Sequence, residues 1–167
     1  MHETVNARSA ILDGPWLVAG QQEFHSRVLV GLELYGNPGL VRPILESAGS
    51  EVFIITLDLE GAHASLSVSD LDIQRDEYIW IGTTSFAHTA EDAVRTARML
   101  RSSYGIDVMK VDVRDARNFP DTAATLQACD SLLDDGFFVL PFIVPETASR
   151  NSWNAWDAPR FASWRHR

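Results

Sequence analysis

The 167-residue chain holds one cysteine, Cys129, and one lysine, Lys110, against thirteen arginines. A single cysteine excludes an internal disulfide and any cysteine-cluster metal site. Positive charge is scarce as well. Fourteen basic against twenty-three acidic side chains give a net charge of −9 and a pI near 4.9. Such a surface repels phosphate at long range and lacks the basic stripe that duplex nucleic acid requires. No apolar run approaches the roughly 20 residues that span a bilayer. The first thirteen residues carry two acids before any apolar stretch, which is not the form of a signal peptide. No G-x-G-x-x-G or G-x-x-x-x-G-K-[ST] loop occurs, so nucleotide-binding readings lack their motif. His2, His25, His63, His88 and His166 show no metal-ligand spacing and read as surface or loop residues. The expectation is a soluble, cytoplasmic protein with no nucleic-acid or membrane partner and no metal.

The apolar fraction of 46% and charged fraction of 22% are those of a folded domain. The length suits one domain. Short β-branched runs alternate with longer amphipathic stretches. A hairpin around Trp16–Phe24 precedes a buried strand at Val28–Glu33. Asn37 caps a helix with Pro38 at its first position, and Gly49 ends it. Its apolar face is Leu40, Val41, Ile44 and Leu45. Glu51–Leu57 is a near-continuous apolar strand of the parallel-sheet kind. A short helix is expected from Ser69, and a strand at Tyr78–Ile81. Thr89, with Asp92 three residues on, starts a helix that buries Ala93, Ala97 and Leu100 and closes at Gly105. Val108–Val113 is a strand, Asp121 or Thr122 caps a helix that Gly136 stops, and Phe137–Val144 is a fifth strand. This order predicts an α/β protein with a parallel sheet. Two folds fit: a flavodoxin-like open sheet, or the first five units of a (β/α)8 barrel.

Chemistry concentrates at Lys110, inside Val108-Met-Lys-Val-Asp-Val113. An ammonium among apolar strand residues costs several kcal/mol to desolvate unless paired or neutral. Burial favours the free amine that attacks a carbonyl to form an imine. Asp112, two residues on, shares a strand face with Lys110 and is placed to shuttle protons, but its ionised form favours the ammonium instead. The bland reading is a Lys110–Asp112 ion pair. Gly82-Thr-Thr-Ser85 follows a strand and precedes a helix, which makes Thr84 and Ser85 candidates for substrate binding; such a turn also serves as a plain connection. Cys129, within a helix, reads as a packing residue.

Phe24-His-Ser-Arg-Val-Leu-Val-Gly31, Thr89-Ala-Glu-Asp-Ala-Val-Arg-Thr-Ala-Arg98, Asp107-Val-Met-Lys-Val-Asp112 and Gly136-Phe-Phe-Val-Leu-Pro141 fall in an order that resembles the thiazole synthase (ThiG) family. The resemblance implies a (β/α)8 barrel and a synthase that forms an imine between the strand lysine and a phosphorylated ketose. Sulfur comes from the thiocarboxylate of a ubiquitin-like carrier protein, without a metal or organic cofactor. It assigns Lys110 as the imine-forming residue and Asp112 as acid/base where the family usually has glutamate. It also allows a homo-oligomer.

Three segments depart from the family pattern. Gly31-Leu-Glu-Leu-Tyr35 replaces G-T-G-K-Y/F, Gly82-Thr-Thr-Ser-Phe-Ala87 replaces P-N-T-[SA]-G-A, and Asp58-Leu-Glu60 stands where an arginine-containing stretch is usual. These positions lie at strand C-termini, where a barrel builds its substrate site. They point to a 2-thiosugar synthase-like branch acting on a hexose phosphate, in place of a thiazole synthase of thiamine biosynthesis using 1-deoxyxylulose 5-phosphate. The alternatives are a non-catalytic fragment and a flavodoxin-like binding module with Lys110–Asp112 as a structural pair.

Residues 1–146 read as a partial barrel domain and 147–167 as an atypical tail holding three of the five tryptophans. Read one base out of frame with GC-rich codons, the tail resembles the family's next helix and sixth strand. Trp153-Asn154 forces a glutamate in that frame and Trp156-Asp157 a glycine. The expectation is a single-base shift near Arg150, which DNA sequencing across that codon tests.

Overall fold

A computed structural model describes residues 14–19, 21–32, 36–57, 71–144 and 163–164. Strands β1 (Leu17–Ala19) and β2 (Gln22–Phe24) form an antiparallel hairpin, and β1 also pairs antiparallel with β8 (Ser163–Trp164). The five-stranded parallel sheet consists of β3 (Leu29–Gly31), β4 (Val52–Ile55), β5 (Ile79–Thr83), β6 (Val108–Val111) and β7 (Phe138–Pro141). Between them lie α1 (Val41–Ala48), α2 (Ala90–Tyr104) and α3 (Thr122–Asp134).

Local chemistry sets the boundaries. The Asn37 side chain accepts from the Gly39 amide, with Pro38 opening a 3-10 turn that leads into α1, and Gly49 ends that helix at φ 61°. Thr89 and Asp121 accept from the Asp92 and Ala124 amides, satisfying donors that a helix start leaves open. Of the four residues expected on the apolar face of α1, Val41 and Leu45 are buried, but Leu40 is 49% exposed because it lies in the preceding turn. The strand expected at Val28–Glu33 is shorter and not buried. As an edge strand paired only with β4 it leaves Val28 and Leu29 exposed. The expected helix start at Ser69 lies outside the described residues, and Leu71–Tyr78 forms no helix.

Strand order separates the two candidate folds. The sheet runs β3-β4-β5-β6-β7, in chain order with no reversal. A flavodoxin-like sheet reverses at a switch point and carries helices on both faces. Here residues of all three helices, Val41, Leu45, Ala93, Ala97, Leu100, Ala128 and Leu132 among them, share one core with Phe53, Ile55, Met109, Val111 and Val139 of the sheet. All the helices therefore cover one face. Right-handed crossovers that always step the same way produce this result, which is a sector of a (β/α) barrel.

The opposite face is the barrel's inside, and it is divided along its length. At the N-terminal ends of the strands, Val52, Ile81 and Val108 pack against Leu17, Ala19 and Phe24 of the hairpin. Towards the C-terminal ends the same face turns polar, through Thr56, Thr83 and Lys110.

Two residues buried between the sheet and the helices yield predictions. Gly82 pairs with Met109, beneath α2. A Cβ at position 82 would collide with the Met109 Sδ and stand 2.9 Å from its Cε and 3.0 Å from the Leu100 Cδ1. G82A is expected to destabilise the fold by about 1–3 kcal/mol, read from the denaturant midpoint, because buried Met109 has little room to yield. Cys129 is fully buried in α3, as a packing residue should be, and burial pushes its thiol up to about 12. At pH 8 the reactive thiolate is a trace species. Native protein is therefore expected to resist a thiol reagent that labels it at once in denaturant.

Candidate functional site

β6 places Lys110 on the inner face, and the chain stays extended past the strand's end as far as Arg114. Alternation then puts Lys110, Asp112 and Arg114 on one side. The Asp112 side chain is fully buried, while those of Lys110 and Arg114 are each 24% exposed. Lys110 Nζ donates to Asp112 Oδ2 at 3.2 Å. Arg114 grips the same carboxylate, Nε to Oδ1 and Nη2 to Oδ2, both at 3.0 Å, sharing Oδ2 with the lysine. Such a two-pronged contact fixes the plane of the carboxylate as well as its position. Phe142, following β7, sets its ring 4.8 Å from Lys110 Nζ and 5.4 Å from the Arg114 guanidinium carbon.

Lys110 and Asp112 are thus brought together as the spacing predicts. The lysine is paired and about three-quarters covered, and it lies where the sheet's apolar interior gives way to the polar end of the barrel.

The two hydroxyls expected at the substrate separate. Thr84 is fully buried, and its Oγ1 accepts from the Asp112 amide at 2.8 Å and donates to the Asp112 carbonyl at 3.0 Å. It is turned towards the backbone, where it holds both the amide and the carbonyl of Asp112. The physical reason is a change of spacing. Thr83 pairs with Lys110 but Ala87 pairs with Val113, so one strand extension has an extra residue and the Thr84 side chain fills the missing rung. Ser85 Oγ lies 2.8 Å from Thr83 Oγ1, and Thr83 is in register with Lys110. The hydroxyls flanking the lysine are those of Thr83 and Ser85. T84V is expected to leave a buried N–H and C=O unpaired, costing about 3 kcal/mol. The measurements are a denaturation midpoint and hydrogen exchange at the Asp112 amide.

Three members of this cluster escape a reading of the sequence that stops at Lys110 and Asp112. Arg114 is the next residue in the same alternation, so the i, i+2, i+4 pattern Lys-x-Asp-x-Arg was its signal. Thr83 needed the β5–β6 register. Phe142 needed the β6–β7 register, in which Lys110 faces Leu140 and Val111 faces Pro141. Of the histidines, His25 and His88 lie in the described residues; both are exposed, and His88 Nδ1 meets the Arg114 carbonyl at 3.0 Å. Among the described residues no group of three or more His, Cys, Asp or Glu side chains is gathered for a metal. No described helix is long and apolar enough to cross a membrane. The departures at Glu33–Tyr35 and Asp58–Glu60 lie outside the described residues.

Known proteins resemble this chain in sequence and fold. The family model for thiazole biosynthesis protein ThiG matches residues 18–152. A thiazole synthase of Clostridioides difficile (strain 630) is 36% identical over 135 residues, covering 78% of this chain and 51% of that protein. One from Maricaulis maris (strain MCS10) is 33% identical over 149 residues, covering 85% and 54%. The chain thus spans about half the length of the curated relatives it matches. Among solved structures, the Amycolatopsis orientalis BexX/CysO complex contains a chain that superimposes with a TM-score of 0.80 and 46% identity, over 87% of this chain and 60% of that one. On sequence, strand order and the one-sided helix layer together, the chain belongs to the ThiG family of thiazole biosynthesis proteins.

Proposed function

We propose that the protein is a thiazole synthase-like, sulfur-incorporating synthase that holds a phosphorylated sugar as an imine on Lys110. The observation that carries this reading is the placement of the chain's one lysine. It stands at the C-terminal end of a central barrel strand, on the inner face, with a buried carboxylate 3.2 Å away. Barrel enzymes place their chemistry at that end.

In the proposed reaction the unprotonated Lys110 amine adds to the sugar carbonyl and gives a carbinolamine. A proton passes from nitrogen to the former carbonyl oxygen, water leaves, and a C=N bond remains. Asp112 Oδ2 is within reach of the Nζ proton and serves as the shuttle. Thr83 and Ser85 offer hydroxyls to the bound sugar, and the ring of Phe142 covers the lysine. Sulfur is proposed to arrive on the thiocarboxylate of a ubiquitin-like carrier. This partner reading draws support from BexX, the similar protein solved in complex with a second protein, CysO.

The departures at the strand ends favour a hexose phosphate over 1-deoxyxylulose 5-phosphate. The test is incubation with each sugar, borohydride reduction and intact mass measurement. The reading predicts a one-sugar mass gain with glucose 6-phosphate and a smaller or absent gain with 1-deoxyxylulose 5-phosphate. The reverse preference places the protein with the thiazole synthases of thiamine biosynthesis. No gain with either contradicts the imine.

A further inference from the structure

The sequence raises a conflict that the imine reading alone does not resolve. An ionised aspartate beside Lys110 stabilises the ammonium, whereas attack on a carbonyl needs the amine. We propose that Arg114 is the positioning residue that resolves it: its guanidinium occupies the Asp112 carboxylate on both oxygens and so relieves the hold of that carboxylate on Lys110. The inference rests on the imine reading for its purpose and on the geometry of the cluster for its content.

With three groups instead of two, the arithmetic of charge changes. A bare Lys110–Asp112 pair is neutral when the lysine is protonated and carries an uncompensated buried negative charge when it is not. Adding Arg114 reverses this. The cluster is then +1 with ammonium and neutral with the free amine, so losing the proton leaves a complete Arg114–Asp112 pair in the buried region. That pair is held at 3.0 Å through both nitrogen–oxygen contacts, shorter than the 3.2 Å of the lysine contact. Arg114 cannot itself give up the proton, which makes it a fixed counter-charge.

The other elements packed around Lys110 bring no competing charge among the described residues. In register on the flanking strands are Thr83 and Leu140, followed by Ser85 and Phe142 on the same face. Thr56 donates to the Thr83 carbonyl. His88 meets this strand only at the Arg114 carbonyl. Asp115 is turned to the Phe119 and Arg117 amides and to the Arg117 side chain, contacts that hold its carboxyl below the usual range.

The test reads amine availability without any sugar. Because Lys110 is the only lysine, competitive acetylation with acetic anhydride across pH 6–11, followed by peptide mapping, reports on it alone. R114Q is expected to move the labelling curve to higher pH, with several-fold slower labelling at pH 8. D112N is expected to move it down, because Arg114 then faces the ammonium without a carboxylate between them. An R114Q curve that coincides with the wild type, or a D112N curve that moves up, overturns the proposal. Protection of the Cys129 thiol checks that each variant is folded, and if R114Q is not, the uncharged R114M, of similar length, is read in its place with the same expected direction. A wild-type protein that never traps a sugar sinks the imine reading but leaves these curves and their meaning intact.

Discussion

K110R is expected to abolish the borohydride-trapped sugar adduct while leaving the fold in place. Arginine keeps a cation beside the buried Asp112 carboxylate, so the charge balance of the cluster survives. What it removes is the nucleophile, since a guanidinium stays protonated at every accessible pH and forms no imine. Loss of a covalent nucleophile lowers turnover by at least about 10^4-fold, and residual binding does not replace it. Intact mass after reduction is the direct readout, with the thermal midpoint as the control. A K110R protein that still gains the mass of one sugar at an internal site would mean that the chemistry lies elsewhere.

D112A carries a large expected cost in stability. The Asp112 side chain is fully buried and is shared by two cations, each about three-quarters covered. Its removal leaves an ammonium and a guanidinium facing each other with nothing between. Breaking a buried pair in this way costs about 3–5 kcal/mol. The lower end is expected, because both remaining cations reach water. For a chain of this length, about 3 kcal/mol lowers the thermal midpoint by roughly 6–12 °C. The D112A/R114Q double variant should recover part of the loss, since it removes one of the two stranded charges. A strictly additive double variant would show that the contacts act independently. A D112A midpoint within about 2 °C of the wild type would show that both cations hydrate without penalty.

Much of this fold is legible from local chemistry. Asn37, Thr89 and Asp121 announce helix starts through side chains that accept from open amides, and the left-handed backbone at Gly49 and Gly105 ends two of those helices. Alternation within Val108-Met-Lys-Val-Asp-Val113 places Lys110 and Asp112 on one face before any tertiary contact is known. The features that escape such a reading depend on neighbours distant in sequence. Val28 and Leu29 have the composition of a buried strand, but only the sheet order shows that they lie on an edge. The partners of Thr84 depend on the extra residue between Thr83 and Ala87, which turns its side chain to the backbone of Asp112. Gly82, in the same segment, belongs to packing beneath α2 and not to a ligand loop. Length favours an open sheet while motifs favour a barrel, and the choice rests on the direction in which successive crossovers step.

Whether Lys110 carries the substrate is read from peptide mapping of the reduced adduct. The wild-type protein would be incubated with glucose 6-phosphate, reduced with borohydride, digested and analysed by tandem mass spectrometry, with the N-terminal amine followed separately. The sugar is expected on Lys110 alone, within the segment Val108–Val113. A folded protein whose Lys110 peptide stays unmodified with either sugar phosphate, or whose adduct sits only on the N-terminal amine, would contradict it.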